Sequence, residues 1–263
     1  MRKLRVSTDV GLFCTPEYMK ELYGEGVEEV EVIGWRWAER FLHQAETDGI
    51  RPWRLHGRTG LVRDGVISGV RSGIMQKLLL PTGKLVSLAK RYKVGRILVH
   101  TGEAREGFEE IKKAADGMSV GIENSLGGET GLRATFALTA ELVKAGVRAG
   151  VVADAGHFGY ETGKLADPET VVREFLDRVD EYEREFKVTA GVHLPINAEN
   201  DEGAINIDKL TDEQLRKFLG RFEEIVVENR ADLVYEFWRG AGQGYKRRTQ
   251  RRWQRLRKLA ETD

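Results

Sequence analysis

Eight short runs of β-branched and apolar residues alternate with longer amphipathic stretches along this chain of 263 residues. This alternation limits the fold more than any other feature, because strands that alternate with helices form parallel sheets. The predicted strands cover residues 4–10, 29–33, 51–56, 96–100, 119–123, 149–154, 188–194 and 232–237. Eight such units in about 250 residues are typical of a (β/α)8 barrel. We therefore predict a single barrel domain over residues 1–263.

A doubly wound open sheet is the competing architecture. It is disfavoured because the glycine pattern Gly-x-Gly-x-x-Gly, which opens the first helix of dinucleotide-binding sheets, does not follow the first predicted strand. Helix starts are marked by Thr15-Pro16, by Asp167-Pro168 and by a capping box at residues 211–214. The helix after that capping box is predicted to continue to about Val226, and a basic helix at residues 245–260 is predicted to complete the barrel.

The composition excludes several other classes of protein. Hydrophobic residues make up 41% of the chain, which is enough for a sizeable core, and the single cysteine, Cys14, excludes an intrachain disulfide and a cysteine-based zinc site. No apolar run approaches the 18 residues that a membrane span needs. We expect a cytoplasmic protein that does not enter a membrane.

The charge is distributed unevenly although the net charge is zero. Residues 238–263 contain nine basic and two acidic residues, a net charge of +7, so the rest of the chain carries −7. The basic helix in this segment has two interpretations, a surface that binds nucleic acid or an anionic membrane, or a barrel helix. Trp253, Leu256 and Leu259 recur at helical spacing, which favours packing against the barrel with solvated cations.

Ionisable side chains recur where the predicted strands end. The third and fourth strands end in His56 and His100, the fifth in Glu123-Asn124, and the sixth in Asp154 with His157 beyond it; His193 lies on the seventh strand and Glu236 on the eighth. The carboxyl ends of barrel strands meet at one mouth, where catalytic residues lie. Clustered carboxylates repel one another unless a cation compensates, so we predict a divalent metal site.

The order of these residues resembles the xylose isomerase-like barrel superfamily, which contains sugar and sugar-phosphate isomerases and epimerases and the endonuclease IV family. The shared pattern is a Glu on strand five, Asp-x-x-His across strand six, a His on strand seven and a Glu on strand eight. This resemblance implies that Glu123, Asp154, His193 and Glu236 bind the metal.

The epimerase branch implies one divalent ion (Mn, Co, Mg or Zn) that stabilises an enediolate of a carbohydrate, with Glu123 and Glu236 as the acid/base pair. His157 would then hold a substrate hydroxyl, and His56, His100, Asn124 and Trp35 are further candidates for substrate contacts. The chain departs from those epimerases after strand seven, where no arginine follows His193.

The endonuclease branch implies two or more zinc ions and hydrolysis of a phosphodiester. In that case His56 and His100 would bind a second metal together with Glu123. The Asp-x-His motif for a third metal is missing, and the acidic body opposes nucleic-acid binding. We therefore favour the isomerase or epimerase and keep the hydrolase as the alternative, beside an inactive barrel that only binds. Related barrels often pair, which implies a homo-oligomer.

Overall fold

The computed structural model describes residues 4–7, 15–24, 27–34, 38–57, 80, 82–114, 117–125, 131–196, 204–228 and 243–261. Its strands are β1 (Leu4–Ser7), β2 (Glu29–Ile33), β3 (Arg51–His56), β4 (Arg96–His100), β5 (Ser119–Glu123), β6 (Ala149–Asp154), β7 (Ala190–Pro195) and β8 (Ile225–Glu228). Its helices are α1 (Pro16–Tyr23), α2 (Ala38–Thr47), α3 (Thr82–Arg91), α4 (Thr101–Glu106), α5 (Phe108–Ala114), α6 (Leu132–Lys144), α7 (Ala155–Glu161), α8 (Pro168–Phe186), α9 (Asp212–Arg221) and α10 (Gln243–Glu261), with a 3₁₀ turn at Ile207–Lys209. Among these helices, none is long and apolar enough to cross a membrane.

The eight strands form a closed parallel barrel in sequence order. The barrel closes where β1 pairs with β8 as well as with β2, with Leu4 opposite Ile225. This closure confirms the predicted fold, and the open-sheet alternative is wrong. Because all strands are parallel, their carboxyl ends lie at one end of the barrel.

The helix starts follow the predicted capping signals. The Thr15 hydroxyl accepts a hydrogen bond from the Tyr18 amide at 3.2 Å, and the Asp167 carboxylate accepts one from the Thr170 amide at 3.2 Å. At α9 both bonds of the capping box form between Thr211 and Gln214. Each cap satisfies amide groups that the first helical turn leaves without a partner.

The end of the barrel differs from the sequence prediction. The helix predicted to reach Val226 ends at Arg221, and the eighth strand is Ile225–Glu228 rather than residues 232–237. Residues 232–237 lie outside the described part of the chain. The shorter strand is fixed by its pairing with β7 and β1 on both sides, which a local pattern cannot reveal.

The basic helix α10 packs against α1 and α9. Trp253, Leu256 and Leu259 are buried, as the barrel-helix interpretation predicted. Arg252 donates to Asp208 at 2.6 Å and to the Ile196 carbonyl at 2.9 Å, so part of the positive charge is used inside the fold.

Candidate metal centre

Ionisable side chains from seven strands are buried together towards the carboxyl end of the barrel. Each is at most 2% exposed. They are Glu31 on β2, His56 on β3, His100 on β4, Glu123 on β5, Asp154 on β6, His193 on β7 and Glu228 on β8. Strand pairing fixes their heights, because His100 is opposite Glu123 and Asp154 is opposite His193. The predicted convergence of histidines and carboxylates at one mouth is therefore present in the fold.

We define the first ligand group as His56, His100 and Glu123, whose ligand atoms all lie within 4.8 Å of one another. Glu123 Oε2 is 3.0 Å from His56 Nε2 and 3.2 Å from His100 Nε2. Among the described residues, His56 Nε2 and Glu123 Oε2 nevertheless have no hydrogen-bond partner with acceptable geometry. Buried polar atoms are normally satisfied, so two such atoms facing each other fit a cation between them.

We define the second ligand group as Glu123, Asp154, His193 and Glu228. Atoms of the first three lie within 4.8 Å of one another. His193 Nδ1 is 3.1 Å from Glu123 Oε1 and 3.9 Å from Glu228 Oε2. Three carboxylates and one imidazole form a suitable donor set for Mn, Co or Zn. Glu123 thus offers one oxygen to each ligand group.

Glu31 lies on the side of His56 and His193 that faces away from Glu123. Its Oε1 is 3.1 Å from His56 Nδ1 and 3.2 Å from His193 Nε2. Glu31 and Glu123 therefore alternate with His56 and His193 in a closed ring of four side chains. A carboxylate that accepts from His56 Nδ1–H and His193 Nε2–H leaves His56 Nε2 and His193 Nδ1 available as metal ligands.

Arg54, two residues before His56, neutralises Glu31. Its Nε is hydrogen-bonded to Glu31 Oε2, and its side chain is 3% exposed. Arg54 Nη2 also lies 2.8 Å from His193 Nε2. Two N–H groups cannot point along that line, so Arg54 favours hydrogen on Nδ1 of His193, whereas Glu31 favours hydrogen on Nε2. The choice between these tautomers decides whether Nδ1 can bind an ion.

The pKa values in this ring reflect mutual pairing that outweighs burial. Burial lowers the pKa of His56, but Glu123 and Glu31 together raise it to about 9. Burial would raise the pKa values of both carboxyl groups; Arg54, His193 and His56 hold that of Glu31 well below its usual range, and the histidines do the same for Glu123. The same carboxylates raise the pKa of His193 against burial, although Arg54 opposes its protonation at Nε2.

Asp154, His157 and Asn124 are linked where β6 ends. The Asp154 carboxylate caps α7 by accepting from the His157 amide at 2.6 Å, and His157 Nδ1 donates to the Asn124 carbonyl at 2.7 Å. The Asn124 amide accepts from the Asp154 backbone at 2.6 Å and donates to the Asp154 carbonyl at 3.2 Å. Asn124 therefore joins two strand ends, and its predicted role in substrate binding stays a prediction.

Two predicted site residues, Trp35 and Glu236, lie outside the described part of the chain. The reason for choosing Glu236, that it ends the eighth strand, was wrong, because Glu228 holds that position. The sequence did contain a signal for Glu228, since the apolar run at 225–227 ends in Glu, as the run before Glu123 does. Arg54 was also missed, and the inward orientation of Glu31 could not be derived from its strand alone.

Solved structures with a similar fold include a candidate xylose isomerase, a xylose isomerase domain protein and a sugar epimerase. A candidate xylose isomerase from Rhodospirillum rubrum has 11% identity and a TM-score of 0.63 over 97% of this chain and 99% of its own. The 3-keto-D-glucoside 4-epimerase from E. coli has 15% identity and a TM-score of 0.53 over 97% of this chain and 100% of its own. A xylose isomerase domain protein from Alicyclobacillus acidocaldarius has 16% identity and a TM-score of 0.52 over 98% and 100%.

The fold expected from the resemblance to the xylose isomerase-like barrels is thus confirmed. No protein-family model matches the chain, and a search of curated proteins gives no match either. At these identities the likeness shows the fold, and the reaction must be argued from the site.

Proposed function

We propose that this protein is a divalent-metal-dependent isomerase or epimerase of a sugar, a sugar phosphate or a related hydroxy-carbonyl compound. The observation that carries this proposal is the second ligand group, in which three carboxylates surround one histidine at the carboxyl end of the barrel. The xylose isomerase-like and epimerase structures named above share the fold, and this likeness is consistent with the proposed class of reaction.

A bound divalent ion would polarise the substrate carbonyl and stabilise the negative charge that develops on its oxygen. Glu123, Asp154, His193 and Glu228 are the residues that would hold this ion. Glu123 and Glu228 lie on β5 and β8, with β6 and β7 between them, so they approach the mouth from different sides. We assign to Glu228 the role first predicted for Glu236: it takes a proton from, or returns one to, a carbon beside the carbonyl.

The histidines around Glu123 suit this carboxylate to one of the two roles. Glu123 has His193 on one oxygen and His56 and His100 around the other, and these histidines keep its pKa well below the usual range. A carboxylate that is held ionised in this way is a poor proton donor. Glu123 is therefore better suited to holding the ion, and Glu228 to moving the proton.

The test is exchange of substrate C–H hydrogen with solvent. The untagged protein is loaded with Mn, Co, Mg or Zn and incubated in D₂O with a panel of ketoses, aldoses and their phosphates. Proton NMR should show loss of one C–H signal beside a carbonyl, and Glu228→Gln should reduce this rate by at least about 100-fold. Failure of every panel member to exchange, with all four metals, contradicts the proposal.

One observation favours a second candidate, a dinuclear hydrolase. Glu123 directs Oε1 to the second ligand group and Oε2 to the first, which is the arrangement of a carboxylate that bridges two metal ions. Elemental analysis separates the two candidates: about one ion per chain favours the isomerase, and two zinc ions favour the hydrolase. In the latter case, hydrolysis of bis(p-nitrophenyl) phosphate replaces the exchange assay.

A further inference from the structure

A cavity of about 640 Å³ opens at the amino-terminal end of the barrel, opposite the candidate metal centre. Its walls come from the beginnings of β4 to β7 and from the segments that lead into them. This volume is within the range of small-molecule sites. The metal ligands that we propose lie at the other end of the same strands, so the cavity is a separate site.

The space exists because three neighbouring strands carry glycine where the barrel begins. Gly121, Gly150 and Gly191 all line the cavity. At Gly121 a Cβ would come within 2.8 Å of Leu98, so that glycine is required by packing. At Gly150 a Cβ would meet no atom within 4 Å, so packing does not require the absence of a side chain there. The open space beside Gly150 is therefore available to a ligand.

The charged lining of this cavity consists of four arginines and three glutamates. Arg54, Arg96, Arg148 and Arg221 line it, together with Glu183, Glu223 and Glu224. Arg221 is paired with Asp180 and Glu183, so its charge is already compensated within the protein. Arg148 forms no ion pair with another described residue, so its guanidinium is available to a ligand.

Two of the lining arginines, Arg54 and Arg96, share one aromatic ring with a third arginine, Arg5. The guanidinium carbons of Arg5, Arg54 and Arg96 lie 4.0, 4.5 and 5.0 Å from the centre of one indole ring, that of Trp53. Burial and the neighbouring arginines lower the pKa of Arg5 to about 10, although Glu224 opposes this. Carboxylates compensate part of this charge, since Arg5 pairs with Glu29 and both Arg54 and Arg96 pair with Glu224.

Two of the lining arginines already bind the carboxylate of Glu224. Glu224 Oε1 accepts from Arg54 Nη1 at 3.0 Å, and its Oε2 accepts from Arg96 Nη1 at 2.8 Å. The Arg54 side chain is 3% exposed, so half of this pair is rigidly held. Arg96 uses only Nη1 for Glu224, so its other N–H groups, together with those of Arg148, can hold the oxygens of a phosphate or of a second carboxylate.

We propose that this amino-terminal cavity binds a small anion, whose phosphate or carboxylate group lies against Arg96 and Arg148 above the Arg54–Glu224 pair. The rest of the ligand occupies the space beside Gly150. Arg54 joins this site to the metal centre, because the same guanidinium contacts Glu224 on one side and Glu31 on the other.

Isothermal titration calorimetry with two probes, inorganic phosphate and succinate, tests the site and separates phosphate from carboxylate recognition. We expect saturable binding of at least one probe by the metal-loaded protein. Arg148→Gln should weaken it at least tenfold, and Gly150→Val, which fills the open space with a side chain suited to a strand, should do the same. Arg216→Gln removes an exposed arginine that does not line the cavity and should change nothing.

Two outcomes overturn the proposal. One is the absence of saturable binding of both probes. The other is binding that Arg148→Gln and Gly150→Val leave unchanged, because the anion would then sit elsewhere, such as on the metal ions. Thermal melting of both variants shows that any loss of binding occurs in folded protein.

Discussion

Replacing Glu31 by Gln should weaken metal binding at the second ligand group and, where excess metal fills it, at the first, although Glu31 belongs to neither of these two groups. One carboxylate faces His56 Nδ1 at 3.1 Å and His193 Nε2 at 3.2 Å, and these histidines belong to different ligand groups. Glutamine has one carbonyl oxygen and no charge. At most one histidine then keeps its acceptor, and both lose the negative charge that makes them stronger ligands.

The magnitude follows from this geometry. Loss of a carboxylate partner behind a ligating histidine typically costs 10–100-fold in metal affinity, or about 1.4–2.8 kcal/mol for each ion. Because Glu31 serves two histidines, the loss should appear at the second ligand group through His193, and at the first through His56 where excess Co²⁺ fills that group as well. Titration of the metal-free protein with Co²⁺ against a chromophoric chelator measures the two affinities, and the cobalt absorption bands report the coordination geometry at each site.

Ser7→Ala is the matched control. The Ser7 hydroxyl donates to Glu31 Oε1 at 3.2 Å, so this variant removes a contact of the carboxylate but keeps the carboxylate itself. This variant should change either affinity by less than about fivefold, or about 1 kcal/mol, because it removes one hydrogen bond to the Glu31 carboxylate and leaves the charge of that carboxylate behind both histidines. If Glu31→Gln binds both ions as the unaltered protein does, or weakens them no more than Ser7→Ala does, the reasoning about the ring of four side chains is refuted.

Four further results are expected. Glu228→Gln should lower the metal affinity of the second ligand group at least tenfold and change that of the first by less than threefold, measured by the same cobalt titration. Removing metal with a chelator should lower the melting temperature by about 5–10 °C. An ion at 100 times its Kd stabilises the folded protein by about 2.7 kcal/mol, and each kcal/mol shifts the melting temperature of a chain of this size by about 2–4 °C. An unchanged melting curve would contradict a bound ion. Burial raises the pKa of Asp208, but the hydrogen-bonded Arg252 lowers it below its ordinary value. The stability that Asp208 adds is therefore present above pH 3.8 and is lost as the pH falls below that value. Urea unfolding of Asp208→Asn should differ from that of the unaltered protein at pH 6 and converge with it in acid. Thr211→Ala should lower the free energy of unfolding by about 1 kcal/mol through loss of the α9 cap, with metal affinity unchanged in the same titration.

The inner strands could be predicted from the sequence because local signals define them. The predicted bounds of β2 to β6 agree with the structure at both ends. β4, β5 and β6 are short, mainly apolar runs, β2 and β3 carry charged residues as well, and β3 to β6 end in a histidine or a carboxylate. The change from apolar to ionisable residues marks the point where a strand leaves the packed layer and reaches the mouth.

The eighth strand could not be identified in the same way. Its apolar part is only three residues long, and it follows closely on a helix with a strong capping box. The run at 232–237, richer in aromatic residues, resembled a strand more closely on local grounds. What fixes Ile225–Glu228 is closure of the barrel between β7 and β1, and β1 lies about 220 residues earlier in the chain. This misplacement led directly to Glu236 instead of Glu228.

The orientation of Glu31 depends on an irregularity that no single strand contains. Val30 pairs with Pro52 and Glu31 pairs with Arg54, so β3 has one extra residue, Trp53, between the two pairs. That bulge places Arg54 directly opposite Glu31 and keeps His56, two residues later, on the same face. From the sequence of β3 alone, Arg54 has no visible partner and its inward orientation is not expected. It becomes intelligible only once its partners on β2 and next to β8 are known, and the same bulge then explains how one guanidinium lies between the metal centre and the amino-terminal cavity.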